Sequence, residues 1–174
     1  MESIETITEA IRDVADFPKP GIVFKDITPV LADPVLFRSV IDHMLVVLDG
    51  RKVDKIIGID ARGFIFGAAL ADRLGVGFIP VRKKGKLPWE THEKSYSLEY
   101  GEATIQIHKD AVSPGEKVIV VDDLLATGGT AAACLDLLDE LNADILEVIF
   151  LIELSFLNGR AALGERSVTS LISY

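Results

Sequence analysis

Two adjacent aspartates, Asp122 and Asp123, follow an apolar run in the stretch VIVVDDLLATGGT, which covers residues 118–130. The apolar run predicts a buried strand, and in open parallel sheets ligands bind beyond the carboxyl ends of the strands. Because the chain turns at a strand end, we expect both carboxylates to reach the same crevice. The alternative is that one aspartate caps a turn while the other points into solvent.

The loop after the aspartates has the composition of a phosphate-binding loop. It offers consecutive backbone N–H groups, two hydroxyls and two glycines that can adopt positive φ, and it opens a predicted helix whose dipole favours an anion. Its residues are Ala126, Thr127, Gly128, Gly129 and Thr130. It is neither a Walker A loop nor a G-x-G-x-x-G motif. Two carboxylates beside it would repel a polyphosphate, so we infer a ribose 5-phosphate whose hydroxyls face the carboxylates, with Mg²⁺ nearby.

The stretch VIVVDDLLATGGT resembles the phosphoribosyl pyrophosphate motif of type I phosphoribosyltransferases, and its DDLLATGGT form is similar to that of the adenine-specific members. Four further stretches fall in the expected order and at the expected spacings: DFPKPGIVFKDITPVL, IGIDARGFIFG, VRKKGKLP and SYSLEYG. The resemblance therefore covers nearly the whole chain. It implies purine salvage, in which adenine and phosphoribosyl pyrophosphate give AMP and pyrophosphate through an oxocarbenium-like transition state.

The resemblance also implies where each part of the substrate binds. The 5-phosphate would bind at residues 126–130, and the ribose at Asp122 and Asp123. Pyrophosphate, ribose oxygens and water would supply most of the ligands of Mg²⁺, so we expect no metal site that consists of protein groups alone. The residues implied for pyrophosphate binding are Arg62, Arg82, Lys83 and Lys86. A non-proline cis peptide is implied in the loop 60–63.

Four cations lie within five residues of an acidic chain, and they are Arg82, Lys83, Lys84 and Lys86. Such a cluster by itself is typical of a solvated turn or of a nucleic-acid-binding patch. The following segment, 84–95, has no periodicity, which is typical of a functional lid. Beside this lid the cluster favours pyrophosphate binding, in part across a dimer interface as the family suggests.

Two other motifs are predicted to bind the purine base and to transfer its proton. The resemblance assigns the acid/base role to Glu99, although a strand glutamate in isolation is commonplace. Adenine would bind Val23, Phe24 and Lys25, with Phe24 stacked on one face of the purine and Leu124 on the other; the alternative is that Phe24 is a core aromatic residue. Two departures from the family pattern are Lys25, where arginine is usual, and Trp89 in the lid.

The apolar patterns predict an α/β fold in which helices flank a central parallel sheet, and the resemblance implies the fold of type I phosphoribosyltransferases. The predicted parallel strands are 55–60, 77–83, 117–123 and 145–154, and the helices between them are 62–75 and 130–143. Paired strands around Gly101 and Glu102 would form an antiparallel edge next to the lid. Helices are also predicted over 3–15, which DFPKPG ends, and over 34–49, with Asp33 as N-cap. We expect one domain over 1–174, with an N-terminal helix and hood to about residue 35 and the core after it.

Composition limits the remaining possibilities. The chain has 174 residues and a formal net charge of −9, which disfavours nucleic acid and anionic membranes as partners. The acidic N-terminus does not resemble a secretory signal, and the single cysteine, Cys134, fits the core of a protein in a reducing compartment. We therefore predict a cytoplasmic protein, and the resemblance implies that it is a homodimer. His43, His92 and His108 lack metal-ligand spacing. The rival hypotheses are a phosphoribosyltransferase for xanthine or hypoxanthine-guanine, and a non-catalytic regulator that binds phosphoribosyl pyrophosphate.

Overall fold

The computed structural model describes residues 1–97 and 101–174 of the chain. The described residues form two compact units, Met1–Val47 and Leu48–Tyr174. The first unit ends later than the boundary near residue 35 that the sequence suggested. Within the described residues, no helix combines the length and the apolar character that a membrane crossing requires.

The N-terminal unit begins with helix α1 (Ile4–Ala10), whose N-cap Ser3 accepts a hydrogen bond from the backbone N–H of Thr6 at 3.1 Å. The prediction of one helix over 3–15 is wrong beyond Ala10. Strand β1 (Arg12–Ala15) follows and pairs antiparallel with strand β2 (Val23–Asp26). The helical spacing of apolar residues is overridden here because β1 obtains its backbone hydrogen bonds from β2.

Two helices complete this unit, a short α2 (Thr28–Ala32) and a long α3 (Pro34–Leu48). The predicted N-cap role of Asp33 is confirmed: its Oδ1 accepts hydrogen bonds from the backbone N–H groups of Val35 at 2.8 Å and Leu36 at 3.0 Å. These bonds satisfy donors that the first turn of a helix leaves without intrahelical partners. Helix α2 was not predicted.

The second unit contains a seven-stranded sheet in the order β5-β6-β4-β3-β7-β8-β9. Neighbouring strands from β4 through β3, β7 and β8 to β9 run parallel, and β5 and β6 form an antiparallel edge on β4. The strands are β3 (Lys55–Ile59), β4 (Gly77–Lys83), β5 (Thr91–Ser97), β6 (Glu102–His108), β7 (Lys117–Leu125), β8 (Asp144–Glu153) and β9 (Val168–Ser173), and the helices are α4 (Gly63–Leu74) and α5 (Gly129–Glu140). The predicted fold class is confirmed.

Three details differ from the prediction. Strand β7 continues to Leu125, beyond the two aspartates. Residues 91–95 of the predicted lid belong to β5, which pairs with β6 from Thr91↔His108 to Ser97↔Glu102. This edge strand has a polar sequence without apolar alternation, so pattern alone did not reveal it. Strand β9 and two 3₁₀ turns, Ser155–Leu157 and Gly159–Leu163, were not predicted.

The core of the second unit forms around the central strands. Ile57, Val120 and Phe150 are fully buried in three of these strands. Cys134 on α5 is buried in the same cluster, as predicted, and burial raises the pKa of its thiol. A protonated thiol without solvent access is unreactive, so the residue contributes packing.

Candidate active site

A cavity of about 80 Å³ lies at the carboxyl end of β7. The whole predicted phosphate-binding loop lines it, together with Asp122 and Leu124; the lining residues are Asp122, Leu124, Leu125, Ala126, Thr127, Gly128, Gly129, Thr130 and Ala131. Helix α5 begins at Gly129, so its N-terminal backbone N–H groups and its dipole are at the cavity. The arrangement suits a small anion with a polar neighbour.

The loop takes its shape from glycines that approach other backbone closely. Gly128 is the N-cap of α5 with φ of 85°, a left-handed conformation that side chains disfavour. A Cβ at Gly128 would overlap the carbonyl oxygen of Gly159, and a Cβ at Gly159 would overlap that of Ala126. The loop and the second 3₁₀ turn are therefore packed backbone to backbone, and only glycine fits at both positions.

Asp122 is the member of the aspartate pair that lines the cavity. Its Oδ1 accepts a hydrogen bond from the backbone N–H of Asp123 at 2.9 Å. Gly63, the first residue of α4, packs so closely that a Cβ there would lie 2.8 Å from the same oxygen. Burial, and after it the negative charge of Asp123, raises the pKa of Asp122 well above its usual range. Its carboxylate is poorly solvated and suits a ligand that donates hydrogen bonds.

Asp123 is not among the residues that line this cavity. It is 6% exposed, and its Oδ2 lies 2.7 Å from Nε of Arg62. Burial raises the pKa of Asp123, and the positive charge of Arg62 opposes that shift. Because β7 continues through both positions, the two side chains do not share the cavity as expected from a strand end. The sequence analysis predicted Arg62 as a pyrophosphate-binding residue. In the structure Arg62 is also the ion-pair partner of Asp123, which was predicted to bind ribose.

The loop after β3 carries Arg62 and contains the non-proline cis peptide that the resemblance implied, between Asp60 and Ala61. Asp60 Oδ2 accepts a hydrogen bond from Nε of Arg82 at 3.2 Å. The guanidinium of Arg82 also lies 5.8 Å from the ring centroid of Phe64 and donates from Nη1 to the carbonyl oxygen of Lys86 at 3.3 Å. Arg82 therefore joins the end of β4 to the loop after β3.

The remaining cations of the cluster differ in their surroundings. Lys83 and Lys86 are exposed, and no ion pair is found for either one within the described ranges. Lys84 instead donates to Oε1 of Glu93 at 2.9 Å. Gln106 stabilises this turn, because its Oε1 accepts a hydrogen bond from the backbone N–H of Gly85 at 2.8 Å. Lys83 and Lys86 are thus better placed than Lys84 to meet an anion.

The predicted base-binding segment lies on β2 of the N-terminal unit. Phe24 is half-buried, and its ring packs edge-to-face on Phe17 with centroids 5.1 Å apart. Together with Val14 and Asp26, these rings line a surface cavity of about 190 Å³. Nζ of Lys25 lies 2.6 Å from Oδ1 of Asp13. Val23 is 52% exposed. Phe24 is therefore not a fully buried core aromatic residue, and part of its ring is accessible.

Several contacts around the site had no recognisable signal in the sequence. The hydroxyl of Thr130 donates to the phenol oxygen of Tyr96 at 2.9 Å. Arg160, next to Gly159, donates from Nε to both carboxylate oxygens of Glu153 at 2.9 and 3.0 Å. Hydrogen bonding to Arg160 lowers the pKa of Glu153. Tyr96 and Thr130 are 34 residues apart in the chain and become neighbours only in the folded structure.

One predicted site residue cannot be placed. Glu99 lies outside the described residues. The described ranges also contain no group of three or more His, Cys, Asp or Glu side chains that could hold a metal ion.

Comparison with known proteins identifies the family. The model of the phosphoribosyl transferase domain matches residues 31–165. Adenine phosphoribosyltransferase of Acidothermus cellulolyticus is 55% identical over 168 residues, which are 97% of this chain and 95% of the relative. That of Anaeromyxobacter dehalogenans is 56% identical over 171 residues, 98% of this chain and 99% of the relative. The chain belongs to the phosphoribosyl transferase family, in its adenine phosphoribosyltransferase branch.

Solved structures of the family agree with the fold. Adenine phosphoribosyltransferase of Thermoanaerobacter pseudethanolicus is 53% identical and superposes with a TM-score of 0.96, covering 99% of this chain and 100% of that one. The Saccharomyces cerevisiae enzyme, in complex with an imino-altritol bisphosphate and adenine, is 43% identical with a TM-score of 0.92 and 97% coverage of both chains.

Membership of the phosphoribosyl transferase family confirms the resemblance of the five motifs and the class of reaction, a phosphoribosyl transfer. The roles of individual residues in that transfer stay predictions. The geometry separates the predicted site residues into two groups. Residues 126–130 and Asp122 line one cavity, whereas Arg62 and Asp123 form an ion pair next to it.

Proposed function

We propose that this chain transfers the phosphoribosyl group of phosphoribosyl pyrophosphate to adenine, which yields AMP and releases pyrophosphate. The observation that carries the proposal is the single cavity in which the loop 126–130 meets the carboxylate of Asp122. Relatives that are 55–56% identical are adenine phosphoribosyltransferases, and the yeast structure contains adenine.

In this proposal, the loop binds the 5-phosphate and the aspartates bind the ribose. Backbone N–H groups at the start of α5 donate to the phosphate oxygens, and the hydroxyls of Thr127 and Thr130 add two donors. Asp122 accepts hydrogen bonds from the ribose hydroxyls. Asp123 contributes negative potential near the sugar and keeps Arg62 in place, with 2.7 Å between Nε and Oδ2. Negative charge beside an oxocarbenium-like sugar lowers the barrier to transfer.

Pyrophosphate is the leaving group, and its departure requires positive charge. We assign this role to Arg62, Arg82, Lys83 and Lys86. Arg82 is held by Asp60 and Phe64, so its orientation is set before substrate arrives. Lys83 and Lys86 are exposed and can move onto the pyrophosphate. Prepositioned cations lower the free energy of the developing charge without reorganisation.

The reaction is also expected to need Mg²⁺. The carboxylate of Asp122 lines the cavity, and hard cations prefer oxygen ligands. The oxygens of pyrophosphate, ribose and water would supply most of the coordination, so the metal would arrive with phosphoribosyl pyrophosphate. When bound, Mg²⁺ would neutralise part of the charge on the pyrophosphate.

We assign the adenine-binding roles to Val23, Phe24 and Lys25 on β2 and to Leu124 on β7. The accessible part of the Phe24 ring can stack on a purine. A peptide of the β2 segment can offer C=O to the N6 amino group and N–H to N1. Hypoxanthine would meet the same peptide with donor on donor and acceptor on acceptor. Because each of the two buried mismatches costs about 1–3 kcal/mol, adenine should be preferred by roughly 30-fold to 10⁴-fold.

Lys25 is the residue that could weaken this preference, since an ammonium group could reach a 6-oxo substituent. In the structure its Nζ lies 2.6 Å from Asp13 Oδ1. This pair directs the charge toward Asp13, which supports a selective adenine site.

The decisive experiment measures release of pyrophosphate from phosphoribosyl pyrophosphate with adenine, hypoxanthine, guanine and xanthine in turn, with and without Mg²⁺. We expect formation of AMP with adenine and a strong preference for it. A kcat/KM ratio near unity between adenine and hypoxanthine would support the rival purine specificity. Binding of phosphoribosyl pyrophosphate without turnover of any base would support the non-catalytic regulator.

We assign the acid/base role at the purine to Glu99. Glu99→Gln should lower kcat by roughly 10²-fold or more while binding of phosphoribosyl pyrophosphate changes little. A kcat within a few-fold of the parent would leave Glu99 as a surface residue.

A homodimer in the cytoplasm completes the proposal, on the basis of the family resemblance. The mass in solution, measured by light scattering at several protein concentrations, tests the oligomeric state directly.

A further inference from the structure

Strand β5 and helix α5 are joined side chain to side chain along the strand. Lys94 Nζ lies 2.9 Å from Asp136 Oδ2, and His92 Nδ1 lies 3.8 Å from Glu140 Oε2. The third contact is the hydrogen bond from Thr130 to Tyr96 at 2.9 Å. His92, Lys94 and Tyr96 occupy alternate positions of β5, so their side chains point to one face of the strand. Their partners lie progressively nearer to the N-terminus of α5, from Glu140 through Asp136 to Thr130. Tyr96 stands at the end of this row nearest the phosphate-binding loop.

Tyr96 contacts the loop at two points. Its hydroxyl is bonded to Thr130, and its ring lies against Gly129, where an added Cβ would come within 3.3 Å of Cδ2. Both loop residues line the cavity proposed for the 5-phosphate. Tyr96 itself does not line that cavity, so any influence on a ligand must act through Thr130 and Gly129.

Thr130 needs such a partner because its position offers competing acceptors. A threonine in a helix can turn its hydroxyl toward the carbonyl oxygen three or four residues earlier, which here are those of Thr127 and Ala126 in the loop itself. A hydroxyl that donates its single hydrogen to one of these carbonyl oxygens cannot also donate to a phosphate. The bond to Tyr96 instead selects a rotamer that keeps Oγ1 on the side of β5.

The same bond can persist when a phosphate is bound. A phosphate dianion only accepts, so the Thr130 hydrogen would turn toward it. Each hydroxyl carries one hydrogen and can also accept, so Tyr96 can then donate to Thr130 Oγ1. The two hydroxyls form a chain toward the ligand, and each bond in such a chain strengthens the next.

We propose that Tyr96 is a positioning residue for the 5-phosphate site, which holds Thr130 in the donating rotamer and supports it as a second donor. This inference rests on the proposed function only in taking the loop cavity as the 5-phosphate site.

The test compares two probes, ribose 5-phosphate, which carries the 5-phosphate, and inorganic pyrophosphate, which does not. Tyr96→Phe keeps the ring on Gly129 and removes only the hydroxyl. We expect ribose 5-phosphate to bind roughly three- to tenfold more weakly, the scale of one hydrogen bond. Pyrophosphate affinity should be unchanged, and the KM for phosphoribosyl pyrophosphate should rise more than kcat falls.

The matched control is Ser95→Ala. This substitution also removes a hydroxyl from β5, but Ser95 is bonded to Thr104 of the neighbouring strand at 2.8 Å rather than to α5. It should leave the affinity for ribose 5-phosphate unchanged.

A double-mutant cycle with Thr130→Val separates positioning from general structural support. Tyr96→Phe should cause no further loss in the Thr130→Val background, whereas Thr130→Ser, which keeps the hydroxyl, should retain sensitivity to Tyr96→Phe. Additive losses, equal weakening of pyrophosphate, or unchanged or tighter binding of ribose 5-phosphate in Tyr96→Phe would each overturn the inference. If the parent protein binds no ribose 5-phosphate at all, the proposed function fails together with this inference. If the parent binds it and only the comparison of variants disagrees, the inference about Tyr96 fails alone.

Discussion

Arg62 and Asp123 form an ion pair in which Nε and Oδ2 are 2.7 Å apart. The pair joins the loop after β3 to the neighbouring strand β7, and it links a residue assigned to pyrophosphate with one assigned to ribose. An arginine can do this because its planar guanidinium can donate from Nε to one group while it directs Nη donors elsewhere. In the proposed function, ribose and pyrophosphate recognition would therefore share the Arg62 side chain.

Arg62→Lys tests this sharing, because lysine retains the charge but has a single ammonium group. We expect pyrophosphate to bind roughly tenfold more weakly, as measured by calorimetry, and the melting temperature to fall because Asp123, whose side chain is 8% exposed, loses part of its pairing. Arg73→Lys, in the last turn of α4, is the control. Pyrophosphate affinity equal to that of the parent would limit Arg62 to supporting Asp123.

Asp122→Asn should make the protein more stable at neutral pH while it impairs catalysis. Burial and the charge of Asp123 raise the pKa of Asp122 well above its ordinary value of 3.8, so between the unfolded and folded pKa values the folded state holds a proton that the unfolded state has lost. This contribution to stability is present below the unfolded pKa and is lost as the pH rises through the folded pKa. Asparagine, like the protonated acid, avoids that loss.

The melting temperatures of Asp122→Asn and the parent, measured at several pH values, check this expectation. The advantage of the variant should grow as the pH rises above about 3.8 and level off above the folded pKa. Asp144→Asn, at an exposed position at the start of β8, serves as the control for the substitution itself. A pH-independent difference, or one of opposite sign, would contradict the raised pKa.

Gly159→Ala should disturb the phosphate-binding loop from outside the cavity. A Cβ at this position would overlap the carbonyl oxygen of Ala126, so the backbone must move at a cost of about 1–3 kcal/mol. We expect the melting temperature to fall by roughly 2–10 °C and ribose 5-phosphate to bind more weakly.

Gly77→Ala is the matched control, because its Cβ would meet only the side chain of Lys55, at 3.6 Å. Equal effects of the two substitutions, or normal binding of ribose 5-phosphate by a destabilised Gly159→Ala, would show that the loop does not depend on this packing.

The joint replacement of Lys83 and Lys86 by alanine should weaken phosphoribosyl pyrophosphate by at least roughly tenfold, since hydrogen bonds to charged groups are the stronger ones. Adenine binding should change little, and the salt dependence of phosphoribosyl pyrophosphate binding should decrease. Lys84→Ala removes a charge from the same turn, but that ammonium is bonded to Glu93, so its effect should be smaller. Similar losses for adenine and phosphoribosyl pyrophosphate would instead indicate a misfolded turn.

Local sequence was sufficient where a single segment carries all the information. The loop 126–130 was recognisable because glycines, hydroxyls and a helix start are contiguous, and the structure brings all five residues around one cavity. The parallel strands were recognisable for the same reason, as short apolar runs between helices. The resemblance likewise anticipated the cis peptide after Asp60, which falls within one motif.

Tertiary structure decided what depends on partners far away in the chain. The helical spacing of residues 12–15 did not produce a helix, because pairing with β2 supplies their hydrogen bonds. The polar strand β5 exists because β6 lies beside it. Asp122 lines the cavity while Asp123 pairs with Arg62, because β7 continues past both aspartates and lies beside β3, whose following loop carries Arg62. The roles of Gly159 and Tyr96 arise only from contacts across more than thirty residues of chain, and such contacts are fixed by packing rather than by local pattern.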